Sequence, residues 1–147
     1  MQTQIDKTKE LEANLVLMNN KLHFRGTVEG NDPISIDYIP PHGDGLGYTS
    51  LELLLLSLSS CIGSGLLTFL RKMRKTILDF EIHTKGLRRE EHPTAFKTII
   101  VTIKIASPDI TEAELTRLLA LQEETYCPVW SMIKGNVDIQ VHFILSK

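Results

Sequence analysis

Thr49-Ser50-Leu51-Glu52-Leu53-Leu54-Leu55-Leu56-Ser57-Leu58-Ser59-Ser60-Cys61-Ile62-Gly63-Ser64-Gly65-Leu66-Leu67-Thr68-Phe69-Leu70 is the stretch on which the fold turns. Thr49 with Glu52 three residues on is a capping-box pattern, in which the glutamate returns a hydrogen bond to the cap's backbone. The spacing therefore predicts a helix that opens at Thr49 and runs to about Lys75. Leucines, Ile62 and Phe69 cover most of its circumference instead of one stripe, so the helix is expected to be buried all round. What remains is a row of small residues at helical spacing, Ser57, Ser60, Cys61, Ser64 and Thr68, which lets another element approach closely. Cys61 stands in the middle of that row.

Leu51 to Leu70 also has the length of about 20 residues that a bilayer requires. Glu52, the serines and two glycines dilute it, and no second span follows. A globular core, with no membrane partner, is the expectation.

Upstream, Leu11 to Ile39 reads as an antiparallel meander. Leu15 and Leu17 alternate with Val16 and Met18, and Leu22, Phe24, Gly26 and Val28 alternate with Lys21, His23, Arg25 and Thr27. Asn19-Asn20 and Glu29 to Pro33 are the turns between strands. Pro40 to Gly47, broken by prolines and closely spaced glycines, reads as a mobile loop.

Downstream, Asp79 to Lys85 and Phe96 to Ile105 read as strands joined by the charged turn Arg88 to Pro93. Thr111 caps a second helix with Glu114 as box partner, and Leu115, Leu118, Leu119, Gln122 and Tyr126 mark its inward side. Pro128 interrupts that helix and pushes Cys127 out of helical dihedrals. A short helix, Pro128 to Lys134, ends at Gly135, and Val137 to Leu145 closes the chain as a strand. The pattern is α+β, with antiparallel sheets around a long buried central helix in a single domain, residues 1–147.

The chain has 147 residues and a formal charge of -2. It lacks the broad positive field that phosphate-backbone binding requires, so no nucleic-acid partner is expected. Met1 to Glu10 is polar and charged, unlike a secretory signal, and points to the cytoplasm. In that reducing compartment two cysteines are more often catalytic, redox-sensing or inert than a structural staple. Free cysteine in a leucine-rich helix commonly packs as a small hydrophobe, which is the plain reading of Cys61. Cys127 falls at the N-cap of the helix begun by Pro128, where free N–H groups favour a thiolate; on local physics it is the better activated thiol.

Thr49-Ser50-Leu51-Glu52-Leu53 leading to Ser59-Ser60-Cys61, and Tyr126-Cys127-Pro128 leading to Lys134-Gly135-Asn136-Val137-Asp138, resemble the two signature regions of the OsmC/Ohr family of osmotically inducible and organic hydroperoxide resistance proteins. Gly86 to Pro93 looks like the hairpin of a divergent OsmC-like branch. The resemblance implies an intertwined homodimer and a peroxidase in which Cys61 attacks a small hydroperoxide. Cys127 then resolves the sulfenic acid into a disulfide, which an external dithiol reductant recycles.

The family pairs its first cysteine with an arginine and a glutamate. The glutamate of the hydroperoxide-resistance branch lies ten residues before the cysteine, where this chain has Leu51. Glu52, one residue later and rotated by about 100° on a helix, is the acidic candidate. Arg25 and Lys21 are the cationic ones. Two other functions compatible with the same scaffold are non-catalytic binding of a small apolar ligand and a cysteine redox sensor. No cofactor is expected. The glycines before Tyr48 lack dinucleotide or Walker spacing, and the histidines show no zinc-ligand spacing.

Overall fold

The computed structural model describes residues 6–147, so the part of the polar leader formed by residues 1–5 lies outside it. The elements are β1 (Asn14–Leu17), β2 (Phe24–Thr27), β3 (Ile34–Ile36), α1 (Ser50–Lys72), β4 (Asp79–Arg88), β5 (Phe96–Ala106), α2 (Glu112–Leu121), a π-helical turn (Gln122–Tyr126), α3 (Pro128–Ile133) and β6 (Asp138–Ser146). They group into two compact units that meet along the chain within α1, between Leu53 and Leu54.

The first unit is the expected meander, β1-β2-β3, antiparallel throughout, with Leu15 opposite Gly26 and Phe24 opposite Ile36. Asn19 shapes the first turn, since its side-chain oxygen accepts from the backbone N–H groups of Lys21 at 3.0 Å and His23 at 3.1 Å. The run from Pro40 to Gly47, expected to be mobile, is pinned by Asp37. This buried carboxylate accepts from the backbone N–H groups of Tyr38 at 2.7 Å, Asp44 at 3.2 Å and Leu46 at 3.1 Å. Burial pushes the Asp37 carboxyl up, but the three N–H groups together outweigh it and hold it below the usual range.

The second unit packs α1, α2 and α3 with the sheet β4-β5-β6. β4 and β5 run antiparallel, whereas β5 and β6 run parallel, from Thr98 beside Asp138 to Ala106 beside Ser146. A parallel pair needs a long crossover, and α2, the π turn and α3 supply it. β5 is the central strand, and Ile99, Val101, Ile103 and Ile105 are buried to 1% exposure or less. Each such side chain contributes about 1.5–3 kcal/mol by leaving water.

Helix α1 opens on the expected box: Thr49 N–H donates to Glu52 Oε1 at 2.8 Å and Glu52 N–H to Thr49 Oγ1 at 3.2 Å. It stops at Lys72, three residues before the expected end, because Arg74 takes a left-handed φ of 60° and Lys75 N–H turns back to Leu70 O at 3.0 Å. That return bond satisfies an end carbonyl without a glycine.

The expectation of burial all round is not met within one chain. Leu58, Ile62, Gly63, Leu66 and Leu70 form the buried stripe, while Leu56 remains 54% exposed and Ser57, Ser60, Ser64 and Thr68 are exposed. The helix is long and apolar enough to cross a bilayer by length and composition, yet its buried stripe lies on the sheet. Gly63 approaches Phe80 and Ile82 of β4, and Ser59 hydrogen-bonds Thr84.

Candidate functional site

Three local features bring the two cysteines together. Cys61 sits half-buried near the middle of α1, four residues after Ser57 and four before Gly65, hence on the same helical face as both. Cys127 is held between the π turn and α3 with φ -92° and ψ 102°, the non-helical conformation that Pro128 imposes. The third feature is the π turn itself, in which Cys127 N–H donates five residues back to Gln122 O at 2.9 Å.

That extra residue per turn was not foreseen. Its trace in the sequence is Gln122, an amide in an inward row of leucines. Beyond Cys127, α3 ends at Ile133 with Lys134 as its C-cap, one residue short of the expected end, and Gly135 takes a left-handed φ of 93°.

The electrostatics reverse one expectation. Cys127 was the thiol that local physics favoured for activation, because it caps a helix, and the cap is real: Trp130 N–H donates to Cys127 Sγ at 3.4 Å. However, Cys127 is only 2% exposed. Burial first, and the facing Cys61 thiol second, push its pKa up from the ordinary 9.0 to about 11, against the lowering pull of the Trp130 N–H. A six-residue helix presents too few aligned dipoles to offset desolvation of a buried thiolate. Cys61 and Cys127 are both free thiols, and their mutual influence sets them side by side.

The other candidates belong to the first unit or have structural partners of their own. Glu52 is exposed, and the Thr49 N–H it accepts from, with the Thr49 hydroxyl, lowers its carboxyl below the usual range. It also lines an open cavity of about 550 Å³ with Pro33, Ser35, Leu46 and Tyr48. Lys21 pairs with Asp44 at 2.9 Å across the meander. Arg25 lies on the exposed side of β2, opposite Val16 and Ser35. Tyr126, read as inward, is exposed because the π turn rotates it outward; its ring lies tilted against Phe69 with centroids 4.9 Å apart.

An α+β scaffold that presents a half-buried thiol on a long helix to a second thiol at the head of a proline-started helix defines a two-cysteine class of protein. The chain belongs to the OsmC family: the model described as "OsmC-like protein" matches residues 43–142. It is similar to protein YhfA of Escherichia coli strain K12, 29% identical over 89 residues; the match spans 60% of this chain and 66% of that protein. Among solved structures, a hypothetical protein from Aquifex aeolicus is 27% identical, with a TM-score of 0.81 over 93% of this chain and 96% of that one. The organic hydroperoxide resistance protein OhrB of Bacillus subtilis has the same fold at 18% identity, with a TM-score of 0.64 over 93% of this chain and 99% of that one.

Proposed function

We propose that this protein is a thiol-dependent peroxidase that reduces organic hydroperoxides, with Cys61 as nucleophile and Cys127 as resolving thiol. The observation that carries the reading is the approach of two free thiols in which the buried one, Cys127, holds its proton up to about pH 11. The half-buried thiol therefore attacks first. Its sulfur takes the terminal oxygen of ROOH, the O–O bond breaks, and RO⁻ picks up a proton to leave as the alcohol, so Cys61 becomes a sulfenic acid. The Cys127 sulfur then attacks the Cys61 sulfur, the S–O bond breaks, and the Cys127 proton leaves with the hydroxyl as water. An external dithiol reduces the resulting disulfide by exchange and is itself oxidised.

Glu52 enters this reading as a positioning residue. Its capping box starts α1 and so sets the helical phase at which Cys61 is presented. The homodimer and the cytoplasmic setting belong to the same proposal. They are supported by the exposed Leu56 beside the small-residue row Ser57, Ser60, Ser64 and Thr68 on α1, and by two thiols that remain free.

A second reading, binding of a small apolar ligand, rests on an open cavity of about 360 Å³ in the first unit, lined by Leu15, Val28, Ile34 and Ile36 among others. Its volume falls in the range of small-molecule sites.

Consumption of cumene hydroperoxide by the purified chain with dithiothreitol distinguishes the readings. The wild type is expected to turn over, Cys127→Ser to stop after roughly one equivalent when no dithiol is present, and Cys61→Ser to do nothing. Turnover that survives Cys61→Ser would sink the nucleophile assignment. A wild type that forms a Cys61–Cys127 disulfide with peroxide but does not turn over is a redox sensor, and one whose thiols ignore peroxide is a ligand binder.

A further inference from the structure

Gln122 is completely buried, and neither Oε1 nor Nε2 of its carboxamide has a hydrogen-bond partner among the described residues. Buried amides without partners are rare, because dehydrating a donor and an acceptor is costly unless both are satisfied. This one is held in place from two sides. Its backbone oxygen closes the π turn by accepting from Cys127 N–H, and its carboxamide fills the space that a Cβ at Gly65 would occupy.

Gly65 is four residues after Cys61 on α1. Cβ positions four apart on a helix are about 5–6 Å from each other. The amide thus lies about one helical turn from the Cys61 thiol, with its donor and its acceptor both free, and π turns recur at functional sites.

We propose that the Gln122 carboxamide holds the hydroperoxide group against Cys61, a role that rests on the peroxidase reading above. Oε1 accepts from the terminal O–H of ROOH, and Nε2–H donates to the oxygen that carries R. As the Cys61 sulfur takes the terminal oxygen and the O–O bond breaks, that second oxygen gains the electron pair, and the Nε2–H group stabilises its negative charge. The alkoxide then takes from water the equivalent of the proton that Cys61 released on ionising. The carboxamide donates through Nε2–H and accepts at Oε1, and an O–OH headgroup offers the complementary O–H donor and neighbouring acceptor oxygen.

The test compares wild type with Gln122→Met, which keeps the volume and removes both polar atoms. The oxidation rate of Cys61 by cumene hydroperoxide is expected to fall about tenfold or more, as for loss of an oxyanion donor. Alkylation of Cys61 by iodoacetamide, which needs no O–OH recognition, should stay within about twofold, and Tm should hold or rise because no unmet polar group remains. Should Gln122→Met fail to fold, Gly65→Ala, whose methyl displaces the amide, must show the same selective loss.

Equal peroxide rates in an active wild type and in the variant overturn the role of Gln122 alone. So does a parallel fall in both rates, the signature of a general packing defect. A wild type that alkylates normally but ignores the hydroperoxide overturns the peroxidase reading itself, and this inference with it.

Discussion

Cys127 shows how little a residue's sequence neighbours say about its chemistry. Pro128 after it makes a helix N-cap, and the cap forms, with Trp130 N–H on the sulfur. The desolvation that overrides the cap comes with burial in the folded unit, and the Cys61 thiol, remote in sequence, adds to it. The consequence for pH follows from the sign of the shift. The pKa is raised on folding, from 9.0 to about 11, so between those values the folded state holds a proton that the unfolded state has lost. Stability is therefore full below pH 9 and declines as pH rises towards 11. Thermal melts of wild type and Cys127→Ala across that interval should show the decline in the first and less of it in the second. A wild type whose Tm is flat from pH 9 to 11 would contradict the buried, protonated thiol.

At the scale of elements, α1 divides into a face that the chain covers and a face that it does not. Leu66 belongs to the covered face and is fully buried. Truncating it removes transfer energy and leaves a cavity, so Leu66→Ala is expected to cost about 2–5 kcal/mol in chemical denaturation. A loss below about 1 kcal/mol would mean that the helix does not pack on its sheet as described. The helix boundaries came from capping chemistry, which is local. Thr49 with Glu52 and Thr111 with Glu114 are both full capping boxes. The π turn is marked in the sequence only by Gln122, an amide among inward leucines, which does not by itself specify π geometry. It lies in the crossover immediately before Cys127, where its closing bond runs from Cys127 N–H to Gln122 O.

For the whole molecule, the notable quantity is apolar surface left in water. In the first unit Leu15 is 56% exposed, Leu17 53% and Tyr48 49%, and on α1 of the second unit Leu56 is 54% exposed, apolar side chains of the kind that mark interaction surfaces. We expect a second copy to cover α1, whose exposed row of serines permits close approach. Leu56→Asp should then turn a dimer into monomers in analytical ultracentrifugation while the far-ultraviolet circular dichroism stays native. A wild type that sediments as a monomer at micromolar concentration would remove the homodimer from the proposal.

The sequence by itself determined the α+β class, the order of the elements, both capping boxes, the break at Pro128 and the identity of the two cysteines. Each of these depends on residues within a few positions of one another, where propensity and hydrogen-bonding options are local. Tertiary structure alone decided that β6 pairs parallel to β5, that α1 buries one stripe and not its whole surface, and that burial pushes the Cys127 thiol up despite its helix cap. It also decided that Gln122 stands unpartnered over Gly65. Those outcomes depend on what lies beyond each residue's own segment, because desolvation and strand pairing are set by neighbours that the chain brings together only on folding.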